Sequence, residues 1–170
     1  MKKPLILDIS TIDLDRVVAD IEQIRQFNPQ RFEMEQLTAV CYEDNTNHIC
    51  VGYKDIGPDE FWVRGHMPWM PLMPGVIMCE AAAQLAAFYS RRHNLVDAFI
   101  GFGGLEEVRF RGMVRPGDRF VIVCRLLKVR RTIMTAEFQC FVKENLVCEG
   151  ILKGVSLPVD QLSGQAAAAE

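Results

Sequence analysis

Two side chains near the middle of the sequence are suited to acid–base chemistry, His66 and Glu80. His66 stands between Gly65 and Met67-Pro68, and such neighbours can hold an imidazole in one exposed position. Histidine is the side chain best suited to accept a proton at neutral pH. Glu80 follows 14 residues later among apolar residues, where burial favours the protonated form of a carboxyl group. The pair therefore supplies a candidate general base and a candidate general acid.

A base and an acid of this kind can remove water from a β-hydroxy carbonyl compound. The base takes the α-proton, the acid protonates the departing hydroxyl, and the carbonyl oxygen gains negative charge. The free N–H groups of Gly75 and Val76, at the start of a predicted helix, are candidate donors to that oxygen. Gln84 lies four residues after Glu80 on the same helix face, and we expect it to orient Glu80 rather than to react.

The residue types alone leave structural interpretations open. A lone loop histidine is usually a hydrogen-bonded structural residue, and a glutamate in an apolar helix can simply pair with an arginine. The cysteines form no C-x-x-C pair and lie in apolar or alternating segments: Cys41, Cys50, Cys79, Cys124, Cys140 and Cys148. We therefore expect reduced thiols without a metal site, with Cys79 a structural thiol rather than a nucleophile.

The elements around the pair must hold it in place. Three prolines in residues 67–74 predict an ordered loop, because proline fixes φ and removes a donor. A helix is predicted from near Gly75 to about Arg92 or His93. It is apolar on nearly every face, which is typical of a helix buried on all sides.

The flanking sequence predicts one amphipathic helix and a series of strands. The helix is expected over 12–27, with Ser10 or Thr11 as cap and Asn28-Pro29 as its end. A hairpin is expected over 37–42 and 49–53, and Phe61-Trp62-Val63 as a short extended piece. Further strands are predicted at 98–103, 106–111, 119–129, 132–142 and 146–157. This order predicts an α+β domain over 1–162, with a curved antiparallel sheet around the helix and a frayed tail from 163.

The bulk composition excludes several classes of protein. The chain has 170 residues and a net charge of −3, which gives no electrostatic case for nucleic-acid binding. Its apolar runs are shorter than the roughly 20 residues of a membrane span, and its first residues lack the features of an export signal. We therefore expect a cytoplasmic protein.

Two stretches resemble the 3-hydroxyacyl-[acyl-carrier-protein] dehydratases. The family pattern is G-H-F-P, a spacer, P, two apolar residues, P-G-V, three apolar residues and E-A-x-A-Q. It is matched by Gly65-His66-Met67-Pro68 and Pro71-Leu72-Met73-Pro74-Gly75-Val76-Ile77-Met78-Cys79-Glu80-Ala81-Ala82-Ala83-Gln84. The second stretch, Glu107-Val108-Arg109-Phe110-Arg111 and Val114-Arg115-Pro116-Gly117-Asp118, is similar to the family's A-R-F-K-x-x-V-x-P-G-D. The resemblance covers roughly residues 30–157.

This resemblance implies the hot-dog fold and a site shared between subunits, in which His66 of one subunit works with Glu80 of the other. It implies a 3-hydroxyacyl thioester carried on the phosphopantetheine arm of acyl carrier protein, in fatty acid biosynthesis. It also implies a homodimer, or a hexamer built of dimers, without a metal or redox cofactor. Glu80 resembles the dehydratase-only branch, because the dehydratase/isomerase branch has aspartate at this position.

The sequence departs from the family pattern around the motif. Met67 stands in place of the usual phenylalanine, and Trp69-Met70 in place of a glycine and a commonly charged residue. Pro29-Gln30-Arg31-Phe32-Glu33 matches only partly the pattern P-H-R-Y/F-P. The open alternatives are a hot-dog thioesterase, an enoyl-thioester hydratase, or a non-catalytic acyl-binding paralogue.

A basic run in this acidic chain is either a set of solvated strand faces or a docking patch for an acidic carrier protein. Its members are Arg109, Arg111, Arg115, Arg119, Lys128, Arg130 and Arg131.

Overall fold

The computed structural model describes residues 4–96, 98–130 and 132–157. Within them, six strands form one antiparallel sheet in the order β1-β2-β4-β5-β6-β3. The strands are β1 (Ala39–Asp44), β2 (Ile49–Asp55), β3 (Phe99–Phe110), β4 (Arg119–Val129), β5 (Ile133–Val142) and β6 (Asn145–Leu157). The helices are α1 (Ile21–Arg25) and α2 (Gly75–Arg92). The predicted α+β class, with a sheet wrapped around one long helix, is confirmed.

Helix α2 begins and ends where the sequence predicts, and its centre packs into the sheet. Leu85 and Phe88 are fully buried, together with inward side chains of β2, β4, β5 and β6. Gly52 allows the close approach, because a Cβ there would lie 3.0 Å from Leu85 Cδ1. Burial is less complete than expected: Val76 is 70% exposed, and Glu80 is half-buried. The helix therefore keeps an accessible side along the proposed site.

The predicted helix over 12–27 is wrong in length. Only Ile21–Arg25 is α-helical, and its cap is Asp20, which forms a reciprocal capping box with Gln23. The residues before it do not form a helix: residues 14 and 15 form a turn, and the N–H groups of Val18 and Ala19 donate to the carbonyl of Val40. A capping box fixes a helix start locally, and here it overrides the weak apolar periodicity upstream.

The segment before α1 covers the outer face of the sheet. Ile6, Leu7, Ile9, Ile12 and Leu14 pack there against alternate side chains of β1, β2, β4 and β5. Gln139 of β5 fastens this segment, because it accepts a hydrogen bond from the N–H of Ile6 and donates one to the carbonyl of Pro4. The sheet is therefore covered on both faces over much of its width.

Strand β3 joins two strands that the sequence predicts separately. It runs without a break past two register irregularities, one between Phe102 and Gly104 and one between Glu106 and Arg109. Glu107 has φ 53°, in the left-handed region that bulges use. Because β3 lies at the end of the strand order, its outer edge has no neighbouring strand among the described residues.

The remaining predictions have mixed outcomes. Residues 67–74 form the expected loop, but Phe61-Trp62-Val63 is a turn rather than an extended piece. Val63 N–H closes this turn on the carbonyl of Glu60. The tail from 163 lies outside the described residues. No helix among the described residues is long and apolar enough to span a membrane.

Candidate active site

A tight turn anchored by Trp62 positions His66. The buried Trp62 offers its carbonyl to the N–H groups of Gly65 and His66, at 3.2 and 2.7 Å. Met67, with φ 54°, then turns the chain back. His66 Nδ1 lies 2.9 Å from the carbonyl oxygen of Leu72. Since a carbonyl only accepts, Nδ1 carries the proton and the neutral ring keeps its lone pair on Nε2.

Amide side chains hold the carboxylate of Glu80. Gln84, one turn further along α2, donates from Nε2 to Glu80 Oε1 at 2.8 Å and to the carbonyl of Met34 at 2.7 Å. Gln84 Oε1 in turn accepts from the N–H of Gln36 at 2.9 Å. Gln84 is thus buried and fully engaged. It has the orienting contacts that the sequence predicts for it.

The first turn of α2 presents free backbone donors. Among the described residues, no carbonyl or side chain accepts a hydrogen bond from the N–H of Gly75 or Val76. Gly75 leaves room for this arrangement, because a Cβ there would lie 2.7 Å from the ring of Phe110. The N–H groups at a helix start carry partial positive charge, so they suit an oxygen that gains negative charge.

Within one chain, the base and the acid line different cavities. His66 lines a cavity of about 410 Å³ together with Gly75, Val76 and Phe110. Glu80 lines another of about 200 Å³, between α2 and the strands β3 and β6. The structure therefore places His66 beside the free amides of α2, and Glu80 beside Gln84, without bringing the two groups into one cavity.

Sequence reasoning missed Gln30 as a neighbour of Glu80. Gln30 Nε2 lies 3.5 Å from Glu80 Oε1, and Gln30 lines the same cavity. The signal that could have found it is its place in the partly matched P-H-R motif, two residues after the buried Asn28. Asn28 donates to the main-chain carbonyl of Gln84 at 3.0 Å, so this segment is fastened to α2.

The cysteines are free and buried, in agreement with the sequence-based interpretation. Hydrogen bonding to Cys148, together with burial, raises the pKa of the Cys79 thiol well above its usual range. A thiol held protonated is a poor nucleophile. No group of metal-ligating side chains occurs among the described residues.

The basic run does not form one free surface. Arg119 pairs with Asp15 and Asp55, at 2.9 and 2.7 Å, and lies over the ring of Tyr53. Arg111 pairs with Glu149. These two arginines are engaged within the chain, and Arg131 lies outside the described residues.

The fold, one long helix wrapped by a six-stranded antiparallel sheet, is that of the hot-dog class. Comparison with known proteins agrees. The model of the FabA-like domain family matches residues 28–151. A 3-hydroxyacyl-[acyl-carrier-protein] dehydratase FabZ of Syntrophobacter fumaroxidans is 34% identical over 137 residues, which cover 78% of this chain and 90% of that protein. A bifunctional enzyme LpxC/FabZ of Chlorobaculum tepidum is 31% identical over 138 residues, which cover 80% of this chain but only 29% of that protein.

A solved structure shows the same fold. The dehydratase heterocomplex ApeI:P from Xenorhabdus doucetiae superposes with a TM-score of 0.66 at 15% identity, covering 84% of this chain and 96% of that chain. The chain therefore belongs to the FabA-like family, among the hydro-lyases that include the FabZ dehydratases. The resemblance found in the motifs is confirmed.

Proposed function

We propose that this chain removes water from a 3-hydroxyacyl thioester on acyl carrier protein and forms the trans-2-enoyl thioester, in fatty acid biosynthesis. The observation that carries the proposal is the contact between His66 Nδ1 and the carbonyl of Leu72, which leaves Nε2 free to act as a base. The names of the similar dehydratases support the same reaction.

The mechanism follows from the roles of the two side chains. His66 Nε2 takes a proton from C2 of the substrate, while the thioester oxygen accepts hydrogen bonds from the N–H groups of Gly75 and Val76. The C3–O bond then breaks, and Glu80 gives its proton to the departing hydroxyl, which leaves as water. His66 ends protonated and Glu80 ionised, so proton transfer back through solvent resets the site. These proton transfers and the loss of water require no metal or redox cofactor.

The oxygens of Glu80 differ in their surroundings. Oε1 accepts from Gln84 and lies near the amide of Gln30, while Oε2 has no donor among the described residues. Since an oxygen that accepts two hydrogen bonds is a poor place for a proton, Oε2 is the oxygen that gives the proton to the leaving group.

The complete site requires a second copy of the chain. His66 and Glu80 line separate cavities within one chain, and the outer edge of β3, which has no neighbouring strand in the described part of the chain, carries exposed apolar side chains. Phe102 and Phe110 of β3 are 49% and 52% exposed, and Val76 of α2 is 70% exposed. Burying this surface against a second copy would stabilise a dimer and bring His66 of one subunit to Glu80 of the other. A hexamer would join three such dimers.

The carrier and the location complete the proposal. A thioester on a phosphopantetheine arm reaches a site between subunits without burial of the carrier protein itself. Arg109 and Arg115 are exposed basic residues, and they suit contact with an acidic carrier. We place this reaction in the cytoplasm, in agreement with the free cysteines.

One assay tests the activity. A short 3-hydroxyacyl thioester on acyl carrier protein is incubated with the protein, and the conjugated double bond and the free thiol are followed separately. We expect the double bond to appear without thiol release. Thiol release would indicate a thioesterase instead. Activity confined to coenzyme A thioesters would indicate a hydratase of another pathway, and binding without either signal would indicate a non-catalytic acyl-binding protein.

A further inference from the structure

Gln30 has an unusual hydrogen-bonding arrangement next to the acid. Its Nε2 lies 3.5 Å from Glu80 Oε1, the same oxygen that Gln84 contacts at 2.8 Å. Its Oε1 is buried and has no hydrogen-bond partner among the described residues. Leaving a buried amide oxygen unpaired is unfavourable, so the side chain keeps this orientation at a cost. Such groups in a folded protein often mark a functional constraint.

Side-chain hydrogen bonds hold the backbone around Gln30 in place. The guanidinium of Arg31 donates to the carbonyls of Gln30 and Asn28, at 2.6 and 2.8 Å. Asn28 donates to the carbonyl of Gln84 on α2. The contact from Asn28 ties the segment to α2 at Gln84, one turn after Glu80. The position of the Gln30 amide is therefore set by the same helix as the acid that it faces.

The other groups around Glu80 do not duplicate this role. Gln84 is on the same helix and also holds the carbonyl of Met34. Lys153 of β6 is the charged side chain that shares the cavity, and it pairs with Glu106 at 2.5 Å. Gln30 is thus the second amide donor at Glu80, and it reaches the carboxylate from outside α2.

We propose that Gln30 is a positioning residue for Glu80. Together with Gln84 it keeps Oε1 as the acceptor oxygen, so that the transferable proton is carried by Oε2. The catalytic part of this proposal rests on the dehydratase function proposed above. The structural part, that Gln30 holds the carboxylate, does not. A donor to Oε1 favours the ionised form of the acid, so removing it makes the acid weaker.

The test uses the full-length chain with Gln30→Met, which keeps the shape of the side chain without its donor. We expect kcat for dehydration to fall about tenfold with a change in KM of about twofold or less. The alkaline limb of the pH–rate profile, which reports the acid, should move to higher pH. Gln30→His restores a ring N–H donor and should recover most of kcat. Gln26→Met changes an exposed glutamine of the same segment and should behave as wild type.

A second readout does not depend on turnover. The side-chain carboxyl of Glu80 is titrated by carbon-13 NMR and assigned by its absence in Glu80→Gln. We expect its titration midpoint to rise in Gln30→Met, whether or not the wild-type chain acts on the thioester. A wild-type chain without dehydration activity, but with this shift, would overturn the proposed function and leave the positioning role supported.

Two results would overturn the inference itself. One is an unchanged Glu80 titration and an unchanged pH–rate profile in Gln30→Met. The other is equal loss of activity in Gln30→Met and Gln30→His with a lowered thermal midpoint in both, which would indicate a purely structural role. If Gln30→Met does not fold, the Glu80 titration is measured in Gln30→Glu instead. A second carboxylate beside Oε1 must also raise the titration midpoint of Glu80, and an unchanged midpoint refutes the proposal.

Discussion

His66 Nδ1 donates a hydrogen bond to the carbonyl oxygen of Leu72 across 2.9 Å. This contact links the turn that carries the base to the loop that leads into α2. It fixes the ring tautomer, because the bonded nitrogen must carry the proton, and it holds the ring beside the first turn of the helix. The nitrogen left free for proton transfer, Nε2, is therefore set in the chain before any substrate binds.

Replacing the base should abolish most of the activity while the protein stays folded. His66 is half-buried and makes one side-chain hydrogen bond, so we expect His66→Ala to change the thermal midpoint little. We expect kcat to fall by roughly 10²–10⁴, the usual contribution of general-base catalysis. Steady-state kinetics and thermal denaturation check both statements. Full activity in His66→Ala would exclude the mechanism proposed here.

A site shared between subunits predicts complementation. His66→Ala and Glu80→Gln are each expected to be inactive as homodimers. Hybrid dimers formed by unfolding and refolding an equal mixture contain one site that has both groups intact. With random pairing, half of the dimers are hybrids with one good site of two, so about a quarter of wild-type activity should return. The mixture is compared with each variant refolded alone, and no recovery would place both groups in one subunit.

Gly75 should not tolerate a side chain without a change in the site. An added Cβ would lie 2.7 Å from the ring of Phe110, which must then move. Phe110 is 52% exposed and lines the cavity of His66, so the ring can shift, but it shifts within the substrate cavity. We expect Gly75→Ala to lower kcat/KM by roughly ten- to a hundredfold with little loss of stability. The double variant Gly75→Ala/Phe110→Ala should recover part of the lost kcat/KM. Equal activity of Gly75→Ala and wild type would refute this account.

Acid should destabilise the protein in part through Glu35. Hydrogen bonding from Arg25 holds the pKa of Glu35 below its ordinary value of 4.5. A carboxyl whose folded-state pKa is lowered contributes stability above its unfolded-state pKa, and this contribution is lost as pH falls through the folded-state pKa. The contribution is thus complete at neutral pH and declines below about pH 4.5. Urea unfolding of Glu35→Gln should show lower stability than wild type at pH 7 and a smaller difference at pH 3. If the difference in unfolding free energy between wild type and Glu35→Gln were the same at pH 7 and pH 3, the link between the Glu35 pKa and stability would be contradicted.

The two hydrogen bonds of the Gln139 side chain should stabilise the N-terminal segment. Gln139 is 1% exposed and joins the N–H of Ile6 and the carbonyl of Pro4 to β5. Gln139→Leu leaves both backbone groups without this partner, so we expect a loss of about 1–3 kcal/mol in the free energy of unfolding. Hydrogen exchange at Ile6 should become faster, while dehydration by the folded protein is unchanged. Unaltered exchange at Ile6 would show that the outer-face packing alone holds the segment.

The elements that sequence predicted well have strong local causes. The start of helix α2 was predicted near Gly75, where the structure has it, because Pro74 fits a helix entry, at which a missing N–H is no loss. Strands β4, β5 and β6 were predicted within a few residues, because apolar alternation and tight turns mark them. The predicted helix over 12–27 was wrong in length, since its apolar pattern was weak and Val18 pairs with Val40, which lies 22 residues further along the chain.

The sequence by itself determined which residue types are available for the proposed chemistry. One loop and one helix carry His66, Glu80, Gln84 and the helix start at Gly75. Local sequence features, the prolines of the loop and the apolar residues of the helix, specify these two elements. Only the tertiary structure decided which atoms are available. The Leu72 carbonyl selects Nε2 of His66, the Gln30 amide reaches Glu80 from a distant segment, and the two cavities separate base from acid within one chain. The contact between His66 and Leu72 spans only six residues, but it depends on how the loop folds back, and Gln30 and Glu80 lie 50 residues apart, so residue types alone do not specify these contacts.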